Sequence, residues 1–295
     1  MPVSLRQIAS VLALATLGTG AQATPVFALT RDSGSLLRFD TSAPGAVSTV
    51  GALSGATTVL DGIDFRPADN MLYGYLASSG GIYRVDTSTG LTTLVSTAAT
   101  ASTPLGVDFN PAADRLRVVT GADLNLRINV STGATIVDGT LAYAAGDVNA
   151  GADPHDVEAA YTNNDTNPAT GTTLFYIDDV LNILVSTSSP NAGVLNTIGG
   201  LGFNFDEFLG LDISTDSSGK NTAFASLRVG GSQGLYTLNL LTGHATLLGA
   251  IGADAIRGLA VSTVPEPASL ALVALAGLAL VRQRRGERRP MQEQR

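Results

Sequence analysis

The chain has 295 residues, of which 44% are hydrophobic and only 14% charged, with 33 glycines and neither cysteine nor tryptophan. This composition excludes an intrinsically disordered chain, and the missing cysteines exclude disulfides, thiol chemistry and Cys/His metal clusters. The net charge is −8 overall and about −12 between Thr24 and Val264, a stretch with 22 acidic and 10 basic residues; such a surface repels nucleic acid and anionic lipid and favours cations or cationic partners.

Residues 1–23 carry Arg6, an apolar run over 8–17 and the small-x-small triplet Ala21-Gln-Ala23. That order is the pattern of a secretory signal peptide, cut by signal peptidase between Ala23 and Thr24. Residues 26–29, 36–39 and 47–50 then read as three short strands. The next unit is fuller. Residues 62–65 (Gly-Ile-Asp-Phe), 71–76, 82–85 and 91–95 alternate or run apolar, separated by Pro/Asp/Asn, Ser/Gly and Asp/Thr/Gly turns, so the unit is four strands with a turn after each.

The chain repeats this unit. Opening strands start at Gly106, Ala159 and Gly210, and Thr-Gly turns recur at 132–133 and 242–243 as they do at 89–90. Repeats of this size with four strands each predict an all-β fold, a β-propeller. A lone opening strand at residues 258–261 complements the three strands near the other end, which lack one. Joining them predicts five four-stranded blades over a domain of residues 24–263. The ring is closed by a blade made from both chain termini, which leaves no open sheet edge inside it.

Past the ring come Val264, the motif Pro265-Glu266-Pro267, an apolar run over 270–281 and the basic cluster Arg282-Gln-Arg-Arg285. The run falls short of the ~20 residues that span a bilayer comfortably, and the arginines favour the cytoplasmic side. Residues 264–285 resemble the PEP-CTERM sorting signal of exported Gram-negative bacterial proteins, followed here by a short cytoplasmic tail, 286–295. The resemblance implies export, a transient inner-membrane anchor through a short transmembrane helix, and an exosortase-type sorting enzyme acting at Pro265, Glu266 and Pro267. Release to the outer surface or extracellular space would follow. The Gly-x-Asp-[Phe/Ile] strands at 62, 106 and 210 and the Thr-Gly turns are similar to those of an uncharacterised domain family common in such proteins, which implies a propeller-like fold and no known activity.

Two groups of residues offer chemistry. The long link over 138–157 contains Asp147, Asn149, Asp153, His155 and Glu158 just beyond it, near the spacing of a calcium loop, with Asp178 and Asp179 on a neighbouring turn. Asp147, Asn149, Asp153 and Glu158 are candidate Ca²⁺ ligands; the alternative is a solvated acidic loop. The repeated Asp64, Asp108 and Asp212 lie on the strands that line a propeller's channel and could hold a cation there, as in calcium-dependent propeller hydrolases. The alternative is that each accepts bonds from the turn after it. Residues 230–234 match G-x-S-x-G, but between two strands and with no acid between Ser232 and His244, which argues against a nucleophile elbow.

The expected function is an exported, non-catalytic cell-surface or matrix propeller that binds exopolysaccharide or a surface protein and no nucleic acid. The alternatives are a calcium-dependent, lactonase-like hydrolase using the channel carboxylates and a purely structural envelope protein. In a propeller the links between blades share one face with the second-to-third strand links, and the chain ends leave from the other. The membrane anchor therefore points one way and the inter-blade links the other, where binding is expected.

Overall fold

The computed structural model describes residues 24–30, 34–100, 105–165, 167, 169–253 and 256–262. The signal peptide with Ala23, the sorting motif at Pro265, Glu266 and Pro267, the apolar run after it and the tail lie outside these residues. Short apolar runs punctuated by glycine and Asx turns fold into strands throughout. The first blade contributes β1 (Pro25–Thr30), β2 (Ser35–Asp40) and β3 (Ala43–Ala52); the second β4 (Ser54–Gly55), β5 (Gly62–Arg66), β6 (Met71–Leu76), β7 (Gly81–Val85) and β8 (Leu91–Thr97). The third consists of β9 (Leu105–Asn110), β10 (Arg115–Thr120), β11 (Asn125–Ile128) and β12 (Thr135–Val137). The fourth consists of β13 (Ala142–Tyr143), β14 (Asp156–Tyr161), β15 (Leu174–Asp178), β16 (Ile183–Thr187) and β17 (Val194–Gly200). The fifth consists of β18 (Glu207–Thr215), β19 (Asn221–Val229), β20 (Ser232–Leu238) and β21 (Ala245–Ala250), and β22 (Ile256–Val261) returns to the first blade.

Each blade is an antiparallel meander, and the five form a five-bladed β-propeller. In the first blade β22 pairs with β1, Val26 opposite Val261 and Phe27 opposite Ala260, so the two ends of the domain close the ring as the half-units predict. Two strands have no counterpart in the repeat. β4 and β13 run parallel to the outermost strands β8 and β17 and cover their edges. At two residues each they are too short to carry a period, so the hydrophobic pattern does not reveal them.

The inner strands β5, β9, β14, β18 and β22 touch in that order around the axis. Because side chains alternate along a strand, each sheet sends one set to each neighbouring blade. Thus Val26 and Ala28 pack on the fifth blade while Phe27 and Leu29 pack on the second. Tyr73, Tyr75 and Ile82 of the second blade meet Val107, Phe109, Leu116 and Val118 of the third, with Tyr73 and Phe109 edge-on at 5.5 Å. The core is therefore five seams, and inner and middle strands buried on both faces read as continuous apolar runs.

The Thr-Gly turns have a shared task. Gly90, Gly133 and Gly243 take φ of +77°, +73° and +81°, and each lies against the outer strand of the preceding blade. A Cβ on Gly133 would stand 1.9 Å from the Thr97 carbonyl oxygen. Gly219 has a similar φ of +82° but open space around it. Gly133→Ala is therefore expected to lower the thermal midpoint by clearly more than Gly219→Ala, which bears only the backbone strain of about 1–2 kcal/mol. Equal shifts by calorimetry would contradict this packing role.

Candidate functional site

Three of the inner strands bring Asp64, Asp108 and Asp212 together on the axis, and one oxygen of each lies within 4.8 Å of the other two. All three are buried, at 5%, 2% and 1% exposure. Their bonding partners are not the turns that follow them. Asp64 accepts the Phe65 N–H at 2.6 Å and, from the next blade, the Phe109 N–H at 2.7 Å. Asp212 does the same with Ile213 and with Val261 of the next inner strand. Asp108 accepts the Tyr161 N–H of the fourth blade at 3.1 Å. The aspartates thus latch three of the five seams across the axis.

These latches also correct the register of the fourth blade. Tyr161 stands where Phe109 stands in the third, so the repeat begins at Glu158 rather than Ala159. Glu158 replaces the opening glycine, and Ala160 and Ala260 replace the aspartate in the fourth and first blades. Glu158 is half-buried and stands outside the close group of three, near enough to add to the upward push on Asp64 and Asp108. Burial pushes the carboxyl of Asp64 well up, with Asp212 adding to it; burial followed by Asp64 and Asp212 does the same to Asp108. Burial, then Asp212, raises Glu158, and burial raises Asp212 to about 7. Three aspartates from three blades therefore meet on the axis, and among the described residues no basic side chain is hydrogen-bonded to them.

The long link brings its candidates to separate places. Asp147 accepts the Thr197 N–H at 2.7 Å, the Thr197 hydroxyl at 2.7 Å and the Asn149 N–H at 2.9 Å, and Asn149 donates to the same hydroxyl. Both pin the link to β17. Asp153 lies beside Asp123, Glu158 stands in the inner strand β14, and His155 Nδ1 contacts Asp179 Oδ1 at 2.5 Å. Asp178, fully buried, accepts the Tyr143 hydroxyl and the N–H groups of His155, Val180 and Leu181. His244 is exposed just before β21, and residues 230–234 belong to the hairpin between β19 and β20.

Two features escape the sequence pattern. The seam between the third and fourth blades carries a buried polar network beside its apolar cluster. Arg117, 1% exposed, donates to Asp138 at 2.8 Å, Asn125 at 2.6 Å, Tyr161 at 3.1 Å and Asn191 at 2.7 Å, and Arg127 shares Asp138. The alternation Arg-Leu-Arg in β10 and Asn-Leu-Arg in β11 was the available signal, since one face of each strand had to meet a neighbouring blade. The second feature is a cavity of about 390 Å³ on the second blade, lined by Met71, Arg84, Asp86, Ser88, Leu91 and Thr93 among others. It opens beside the first-to-second and third-to-fourth links, the face from which the chain ends leave and not the inter-blade face.

The family described as Domain of unknown function (DUF4394) matches residues 35–260, and the PEP-CTERM protein-sorting motif matches residues 263–285. The motif implies export, handling by an exosortase-type sorting enzyme and a membrane-anchored C-terminus before processing. Among the described residues no helix is long and apolar enough to cross a membrane. No curated protein matches the sequence. A structural-genomics protein of unknown function from Bacteroides thetaiotaomicron is similar in structure, 12% identical, with a TM-score of 0.50 over 83% of this chain and 68% of its own. A chain of a nidogen/laminin complex is 11% identical, with a TM-score of 0.48 over 81% of this chain and 98% of its own. Likeness at such identities concerns the fold alone.

Proposed function

The chain belongs to the family described as Domain of unknown function (DUF4394), and on that premise we propose that it is an exported, non-catalytic propeller that binds extracellular polysaccharide at the outer surface or in the matrix. The observation that carries this reading is the groove on the second blade. Its volume of about 390 Å³ falls in the ordinary range of small-ligand sites. Arg84 offers guanidinium donors, Asn70, Ser88 and Thr93 offer amide and hydroxyl groups, and Met71 and Leu91, 43% and 47% exposed, offer apolar faces. That mixture suits a sugar, which presents hydroxyls at its edge and C–H groups on its face.

The non-catalytic part of the reading is supported by what the axial aspartates already do. Their oxygens accept backbone N–H groups that hold neighbouring blades together. A hydrolytic role would place those same latches in the reaction. The test is retention of the exported protein on a column of extracellular polysaccharide. The wild type is expected to be retained, with Arg84→Ala weakened at least tenfold. Equal retention of both proteins, or passage of both with capture of a surface protein instead, would overturn the proposal.

A further inference from the structure

We propose that the second-blade groove selects acidic polysaccharide by seating the carboxylate of a uronate unit on the Arg84 guanidinium, a selection that rests on the groove being a polysaccharide site at all. The strand register assembles its walls. Arg84 in β7 stands opposite Thr93 in β8 and Tyr73 in β6, so the three share one face of the sheet. Met71 and Leu91 lie two residues along their strands from Tyr73 and Thr93 and therefore share that face, while Asp86 follows Arg84 into the next turn. A cation thus stands beside two exposed apolar side chains, the pairing that a charged sugar presents in reverse, with its carboxylate at the edge of a C–H face.

Arg84 is set apart from the other described arginines by what it lacks. Acidic residues outnumber basic ones 22 to 10 between Thr24 and Val264, so carboxylate partners are abundant. Arg66, Arg117, Arg127, Arg228 and Arg257 each pair with one. Arg115 donates to backbone carbonyls, and Arg38 lies over the Phe27 ring. Arg84 is exposed and has no ion pair among the described residues; its Nη1 rests against the Met71 sulfur at 3.7 Å. That contact lays the side chain along the apolar wall and leaves the rest of its donor fork open. The groove's own acid does not fill the fork. Asp86 Oδ1 accepts the Ser88 N–H at 2.8 Å, the Ser88 hydroxyl at 2.6 Å and the Thr89 N–H at 3.0 Å, which ties that carboxylate to its turn. A planar guanidinium with an open fork takes a carboxylate through two parallel bonds, whereas a neutral sugar offers it single hydroxyls.

The test passes the exported protein, in EDTA so that no divalent ion bridges it to the polymer, over columns of alginate and polygalacturonate and over the same polymers with their carboxylates reduced to alcohols. Retention on the acidic forms is expected to be at least tenfold stronger than on the reduced forms and to weaken as salt rises. Arg84→Gln is expected to bring retention on the acidic forms down to that on the reduced ones. Arg84→Lys keeps the charge but not the fork and is expected to fall between. Arg84 has no ion pair in the fold to lose, so these variants report on the groove and not on folding. Equal retention on acidic and reduced forms, lowered alike by Arg84→Gln, would overturn the proposal and leave the groove a site for neutral sugar. Passage of the wild type through every column, or retention that Arg84→Gln leaves intact, would overturn it together with the polysaccharide site itself.

Discussion

Asp138→Ala is expected to destabilise the protein by about 3–5 kcal/mol, because it strands a buried charge. Arg117 is 1% exposed, and Asp138, at 5% side-chain exposure, is the carboxylate that it and Arg127 share. For a domain of this size the loss corresponds to a drop in thermal midpoint on the order of 10 °C. Arg117→Met removes the charge along with its need for a partner and is expected to cost less than Asp138→Ala. The reverse order would show that Arg117 matters for its packing rather than for its charge. The effect also has a pH signature. Burial alone would raise the Asp138 carboxyl, but Arg127 and Arg117 more than offset it and hold the group below its ordinary value. Its contribution is therefore complete above the unfolded carboxylate range, near pH 4, and is lost as the pH falls through the folded value. The gap between wild type and Asp138→Ala should narrow below about pH 4.

Asp178→Ala is expected to cost at least about 3 kcal/mol, since four donors lose one buried acceptor. Two of them, the Tyr143 hydroxyl at 2.7 Å and the His155 N–H at 3.3 Å, belong to the long link, and the other two shape the turn after β15. The variant should therefore fail first in the link. Limited proteolysis is expected to cut between residues 144 and 154 before any other described loop, while the Asp147→Ala link, held still by Asp178, resists longer. A loss below 1 kcal/mol with unchanged cleavage would contradict the anchoring role.

The architecture was legible because its signals are local and repeated. Gly-x-Asp-[Phe/Ile] opens a strand, Thr-Gly turns the chain at positive φ, and a half-unit near each end requires a closing blade. The aspartate's role was not legible, because its partner is a backbone N–H some 45 to 53 residues away on the next blade. The fourth blade misled by one residue for the same reason: Glu158 and Ala160 replace the glycine and aspartate that mark the register elsewhere. The anchoring of the long link was not legible either: Asp147 and Asn149 bond to β17, and the segment at Ala142–Tyr143 pairs along it. The groove gathers one face of three strands from residues that look like ordinary half-exposed strand positions in sequence.

On the proposed function, this exported ring meets its ligand in the second-blade groove. The most direct measurement is hydrogen–deuterium exchange of the exported protein with and without extracellular polysaccharide. Slowed exchange at residues 70–72 and 84–93 is the predicted result. Protection confined to the inter-blade link at 138–155, or none anywhere, would contradict it.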